Sequence, residues 1–145
     1  MSSYQLVIRE NPDEDEVACL HHSLVEYNLA HSTLNESQEF AIFLHSEEKL
    51  IMGGIMGVLW GEVIEVDYLW VHPELRGQGY GKKLLLTLEQ EAFRRGSRRA
   101  ILNTYDFQAP DFYLKLGYEI FGIIGGLPNE GSKYFLKKEL KLPIP

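Results

Sequence analysis

Three glycines in five positions, Gly77, Gly79 and Gly81, stand between a stretch that reads as a strand and one that reads as a helix. Upstream, Val63-Ile64-Glu65-Val66-Asp67-Tyr68-Leu69-Trp70-Val71 is rich in β-branched and aromatic residues, which fit a pleated sheet. Pro73 stops that strand, because it has no N–H to give to a ladder. Downstream, Gly81, Leu85, Leu88 and Ala92 fall on one stripe of an amphipathic helix, with Arg94 and Arg95 at its negative dipole end and Gly96 as a left-handed cap. Closely spaced glycines let a chain turn sharply and expose bare N–H groups at the positive end of a helix. That combination makes an anion site suited to a diphosphate, with Arg76 and Lys82 adding charge. A turn that needs glycine only for its geometry is the plainer alternative.

Two common phosphate loops do not fit. A Walker A loop would need glycine at position 76 and Ser or Thr at 83, which are Arg and Lys. The dinucleotide pattern Gly-x-Gly-x-x-Gly would need glycine at position 82, which is Lys. The spacing present is Arg76-x-x-Gly79-x-Gly81. It resembles the acetyl-coenzyme-A signature of the GCN5-related N-acetyltransferase (GNAT) superfamily. A second block, Ala109-Pro110-Asp111-Phe112-Tyr113-Leu114-Lys115-Leu116-Gly117-Tyr118, is similar to the family's Ala-x-x-Phe-Tyr-x-Lys-x-Gly-[Phe/Tyr] segment and stands in the family's order. The resemblance covers roughly residues 50 to 125.

The resemblance implies an enzyme that moves an acetyl group from acetyl-CoA directly to a primary amine in a ternary complex. It implies that backbone groups of Leu69, Trp70 and Val71 pair with the pantetheine arm. The turn from Arg76 and Gly77 through Gln78, Gly79, Tyr80, Gly81 and Lys82 would hold the diphosphate. Tyr113 aligns with the acid that protonates the leaving thiolate, although Phe112, Tyr113 and Leu116 also make an ordinary packing stripe. Glu65 falls where some members place a base, with Asp67 as its substitute, and Asn103 on a later strand could bond the pantetheine amides. The family often has asparagine three residues before the motif's alanine; here that residue is Asp106, and the cofactor contact is not carried over.

Glu65 and Asp67 also stand out without the resemblance. Strand periodicity puts Ile64, Val66, Tyr68 and Trp70 on one face and Val63, Glu65, Asp67, Leu69 and Val71 on the other. Burying two unpaired carboxylates is costly, so the second face is expected to meet water, a cationic partner or pairing side chains.

The 145 residues suit one domain, 1–145, with 45% hydrophobic content that argues against disorder. No apolar run approaches the ~20 residues that cross a bilayer, and Met1-Ser2-Ser3-Tyr4 does not begin a signal peptide, so no membrane association is expected. Cys19 is the sole cysteine, which points to a cytoplasmic setting and is read as a small buried hydrophobe. Residues 1–50 hold ten acids and two bases, while residues 51–100 hold six acids and seven bases. An acidic chain of this kind speaks against nucleic acid as partner and suits an anionic cofactor with a cationic substrate. The five scattered histidines form no set of zinc spacing, so no metal is expected.

The element order reads β-α-β-β-β-α-β-α-β-β, an α/β (mixed α+β) domain with a central mixed sheet flanked by helices. This is also the layout of the GNAT-like acyl-CoA N-acyltransferase fold. The first strand is placed at Tyr4–Arg9, a helix beginning from Asn11-Pro12 runs to about His31, and Ser32–Glu39 is a loop or short helix. A hairpin spans Phe40–Leu44 and Leu50–Trp60, in which Gly53, Gly54 and Gly57 mark a bulge or close backbone approach. The acceptor favoured is a small cationic amine of polyamine or amino-sugar type. The alternatives are a peptide or protein amine, a non-catalytic acetyl-CoA sensor, and a structural interaction domain. Homodimers are common among families of this shape, which leaves a homodimer open.

Overall fold

A computed structural model describes residues 3–31, 37–108 and 110–141; Ala109, most of the expected 32–39 loop and the tail from residue 142 lie outside them. The chain divides into an N-terminal unit, residues 1–35, and a larger unit, residues 36–145.

In the N-terminal unit the expected strand at Tyr4–Arg9 does not form. A strand exists only by pairing, and the single regular element described in this unit is helix α1, Glu14–His31. The helix starts two residues later than its Asn11-Pro12 signal suggests, because Asn11 adopts a left-handed φ of 51°. Asp13 is the residue that caps it. Val17 N–H donates to the Asp13 carbonyl at 3.0 Å, and Glu16 Oε1 reaches back to the Asp13 N–H at 3.0 Å. Arg9 bonds the same carboxylate through Nε and Nη2. These bonds, the Arg9 guanidinium first, hold the Glu16 carboxyl below its ordinary range. Cys19 is exposed, not buried. One helix with its leading segment supplies no second layer in which to enclose it.

The larger unit is a six-stranded mixed sheet in the order β1-β2-β3-β4-β6-β5. Its strands are β1 (Gln38–His45), β2 (Ile51–Trp60), β3 (Val63–Val71), β4 (Arg99–Tyr105), β5 (Glu119–Leu127) and β6 (Gly131–Glu139). Helix α2 (Tyr80–Arg94) joins β3 to β4, and the short helix α3 (Pro110–Lys115) precedes β5. Only β3 and β4 run parallel, because the helix between them returns the chain to the same end of the sheet. β1 begins at Gln38, so the last two residues of the expected loop are already paired. Leu84, Leu85, Leu88 and Ala92 of α2 pack with Ile55, Leu59, Ile64 and Val66 of the sheet, and Leu102 and Leu136 extend the same core. Among the described residues no helix is long and apolar enough to cross a membrane.

The expected alternation of β3 fails at its centre. Gly53–Met56 pair in order with Val71–Tyr68, but Gly57 pairs with Val66, which leaves Asp67 without a partner of its own. This one-residue bulge reverses the faces beyond it. Ile64 and Val66 are buried as expected, whereas Tyr68 and Trp70 are exposed and Leu69 and Val71 turn toward the core. The glycines of β2 permit the contact. A Cβ at Gly57 would stand 2.7 Å from the Glu65 carbonyl, and one at Gly53 would stand 2.9 Å from that of Trp70. Gly57→Ala is therefore expected to lower stability by about 1–3 kcal/mol, as overpacking against rigid backbone does. Gly125→Ala, whose Cβ would meet only the Ser132 hydroxyl at 3.8 Å, is the control expected to change the urea midpoint little.

Candidate active site

Strand β3 ends at Val71, where the His72 N–H still donates to the Met52 carbonyl at 2.8 Å. Pro73–Leu75 then forms one 3-10 turn, capped by His72 Nδ1, which accepts the Glu74 N–H at 3.1 Å. Two side chains fasten the following loop to its own backbone. Arg76 Nε donates to the Val71 carbonyl at 2.9 Å, and Gln78 Nε2 donates to that of Glu74 at 3.1 Å. Gly77 (φ 76°) and Gly79 (φ 85°) lie in the left-handed region that glycine occupies without strain. Among the described residues a Cβ at either would meet nothing within 4 Å, so these glycines serve the turn's conformation rather than its clearance.

Helix α2 opens on Gly79 with no side-chain cap. Its first described helical bond runs from the Lys83 N–H to the Gly79 carbonyl at 3.1 Å, so the N–H groups of Tyr80, Gly81 and Lys82 precede the ladder. A pocket of about 330 Å³ lies at this turn, between Val71, Arg76, the glycines and Lys82, with Phe112 of α3 on its other wall. Free amides at a positive helix end can bond an anion's oxygens, which fits a diphosphate.

Beside the turn the sheet divides. β3 and β4 pair only at Val63–Arg99, Ile64–Ala100 and Glu65–Ile101. β3 continues to Val71 and β4 to Tyr105 with no ladder between them. Their outer edges are occupied by β2 and β6, so the facing edges of 66–71 and 102–105 form a wedge of backbone groups without sheet partners among the described residues. Leu69, Trp70 and Val71 lie on one side of that wedge. Asn103 lies on the other, exposed, between buried Leu102 and Thr104. An extended chain carrying amides can complete such an edge.

The bulge sets the acidic side chains. Glu39, Val58 and Glu65 occupy one rung across β1, β2 and β3 and therefore share a face. Asp67 emerges next to Glu65, and burial, then the neighbouring charge of Glu39, raises its carboxyl above the ordinary aspartate range. Tyr113 is half-buried on α3, its ring edge-on to Phe112 at 5.0 Å and to Tyr118 at 5.8 Å between centroids. Burial raises the phenol above its usual value, so it stays protonated across the physiological range. Asp106 is committed elsewhere, because its Oδ2 accepts the Ser132 N–H at 3.1 Å and ties the end of β4 to the start of β6.

Sequence reasoning missed Glu39, which lay in a stretch assigned to a loop, and it placed Phe112 in the second motif and a packing stripe but gave it no part in the pocket. It also missed Glu89, a buried acid on the inner stripe of α2. An acid flanked by Leu85, Leu88 and Ala92 at helical spacing was the available signal.

A sequence profile of the Acetyltransferase (GNAT) family matches residues 4–118. The chain belongs to this family. It is 33% identical over 102 residues, 70% of this chain and 75% of the relative, to blasticidin-S acetyltransferase of Streptomyces morookaense. A crystal structure of a putative acetyltransferase from Agrobacterium tumefaciens superposes with a TM-score of 0.85 at 28% identity, over 94% of this chain and 99% of that one. An acetyltransferase from Bacillus cereus gives 0.76 at 31% identity, over 92% and 98%. The GNAT protein described here is an acetyl-CoA-dependent acyltransferase, with the mixed α/β fold of that family.

Asp67 gives this face a stability signature. Its folded pKa lies above the unfolded one, so the native state binds more protons between the two values and loses stability as pH rises through them. Asp67→Asn should raise the melting temperature at neutral pH, and the gain should disappear at about pH 3, below the ordinary aspartate range. Melting curves at the two pH values check this.

Proposed function

We propose that the GNAT protein transfers the acetyl group of acetyl-CoA directly to the primary amine of a small cationic acceptor. The observation that carries this reading is the bulge of β3, which sets Asp67 beside Glu65 and Glu39 where the strands part. A carboxylate face concentrates cations and can take a proton from an ammonium, which has no lone pair until it loses one. The relative named for blasticidin S supports a small-molecule acceptor.

The chain's groups divide the work. Amides of Gln78 to Lys82, with Gly77 and Arg76 shaping the turn, hold the diphosphate, and the open edge at Leu69, Trp70 and Val71 holds the pantetheine arm. Asn103 bonds that arm from β4. The thioester supplies an activated acetyl carbon when bound. Glu65 or Asp67, directly or through water, accepts the amine proton as the C–N bond forms. The C–S bond breaks and Tyr113, kept neutral by its surroundings, gives its proton to the departing sulfur.

Thiol release measured with polyamines, aminoglycosides, blasticidin S and a lysine peptide tests the assignment. Turnover of the small cationic amines supports it. Preference for the peptide favours a protein acceptor, and acetyl-CoA binding without turnover of any amine favours a sensor. Two variants separate binding from chemistry. Gly79→Ala forces a left-handed residue to carry a Cβ, a strain of about 1–2 kcal/mol, and should weaken acetyl-CoA binding about tenfold by calorimetry. Tyr113→Phe should lower kcat about a hundredfold, the lower range for a positioned acid, with acetyl-CoA affinity nearly intact.

A further inference from the structure

Glu89 lies on the buried stripe of α2 and is only 6% exposed, yet it carries a carboxylate. Both of its oxygens are used. Oε2 accepts the Tyr118 hydroxyl at 2.8 Å, and Oε1 accepts Lys138 Nζ at 2.7 Å. Lys138 reaches it by crossing Gly117, where a Cβ would stand 3.4 Å from the lysine Cε, and Gly117 itself has a left-handed φ of 94°. α2, β6 and Tyr118, the residue just before β5, therefore converge on one carboxylate. Burying an ion pair in this way is seldom the most stabilising choice, because apolar residues of similar volume serve as well or better. A phenylalanine at position 118 would fill the same space.

What the network adds is a fixed position for its neighbour. The Tyr118 ring stands edge-on to that of Tyr113, and the Tyr118 N–H donates to the Tyr113 carbonyl at 3.1 Å. On the other side of Tyr113, Phe112 packs against the first turn of α2, 3.5 Å from the position a Cβ at Gly81 would take. Tyr113 is thus held between two anchors to a single helix, and the start of that helix is the anion turn.

We propose that Glu89 is a positioning residue, which through Tyr118 sets the Tyr113 phenol at a fixed distance from a thioester aligned by the start of α2. The inference rests on the proton-donor reading of Tyr113. A double-mutant cycle tests it, with Tyr118→Phe made in the wild-type and Tyr113→Phe backgrounds and kcat and KM for acetyl-CoA measured well below each melting temperature. Tyr118→Phe keeps the ring and its packing, so it remains informative if the companion Glu89→Gln fails to fold. The expected result is a loss of kcat of about fivefold in the wild-type background, within the range for side chains in contact, with KM unchanged. In the Tyr113→Phe background no further loss is expected. A lowered melting temperature with unchanged kcat overturns the proposal, as does an equal loss in both backgrounds. If Tyr113→Phe alone leaves kcat unchanged, the proton-donor reading falls and takes this inference with it. If Tyr113→Phe is slow while Tyr118→Phe is not, Glu89 alone loses its role.

Discussion

Backbone N–H and C=O groups must be bonded somewhere, and in a sheet the natural place is the next strand. β3 and β4 meet that requirement over three residue pairs and then part, although both continue. Each keeps its outer neighbour, so the sheet holds together on both sides of the gap. The result is a seam of donors and acceptors held in strand geometry by rigid elements, with the glycine turn at its end. A ligand entering there finds polar groups that have already lost their conformational freedom, which reduces the ordering cost of binding.

Helix α2 makes this arrangement one mechanical unit. Its first turn presents free amides, its inner face supplies the centre of the core through Leu85 and Leu88, and Glu89 binds Tyr118 and Lys138. On the proposed reading, binding, packing and orientation share a fifteen-residue element. Two aromatic residues of α3 stand near its first turn and near Tyr118. Phe112 closes the turn, and Tyr113 stands between Phe112 and Tyr118 with its phenol kept neutral.

The parts of this design that were legible in the sequence are those set by local chemistry. Glycine spacing located the turn, the stripe from Gly81 to Ala92 located α2, and Gly96, with a φ of 110°, ended it as a left-handed residue. The glycines of β2 announced a bulge or a close approach, and the structure has both. The residue that would be displaced was not legible, because register is decided between strands rather than within one. Tyr68 and Trp70 were accordingly assigned to the wrong face. The strand expected at Tyr4–Arg9 failed for a related reason, since an alternating pattern does not supply a partner. The burial of Glu89 was legible from its place among Leu85, Leu88 and Ala92, but its pairing was not, because Lys138 lies 49 residues away.

The extra residue at position 67 works as a phase shift in the chain. Removing it would take away more than a carboxylate, because every side chain from Tyr68 to Val71 would change sides. Two large aromatics would be driven toward the helix and two aliphatics out into water. The fold of the strand therefore depends on the presence of a residue at position 67 far more than on its side chain, whatever the carboxylate contributes to the chemistry.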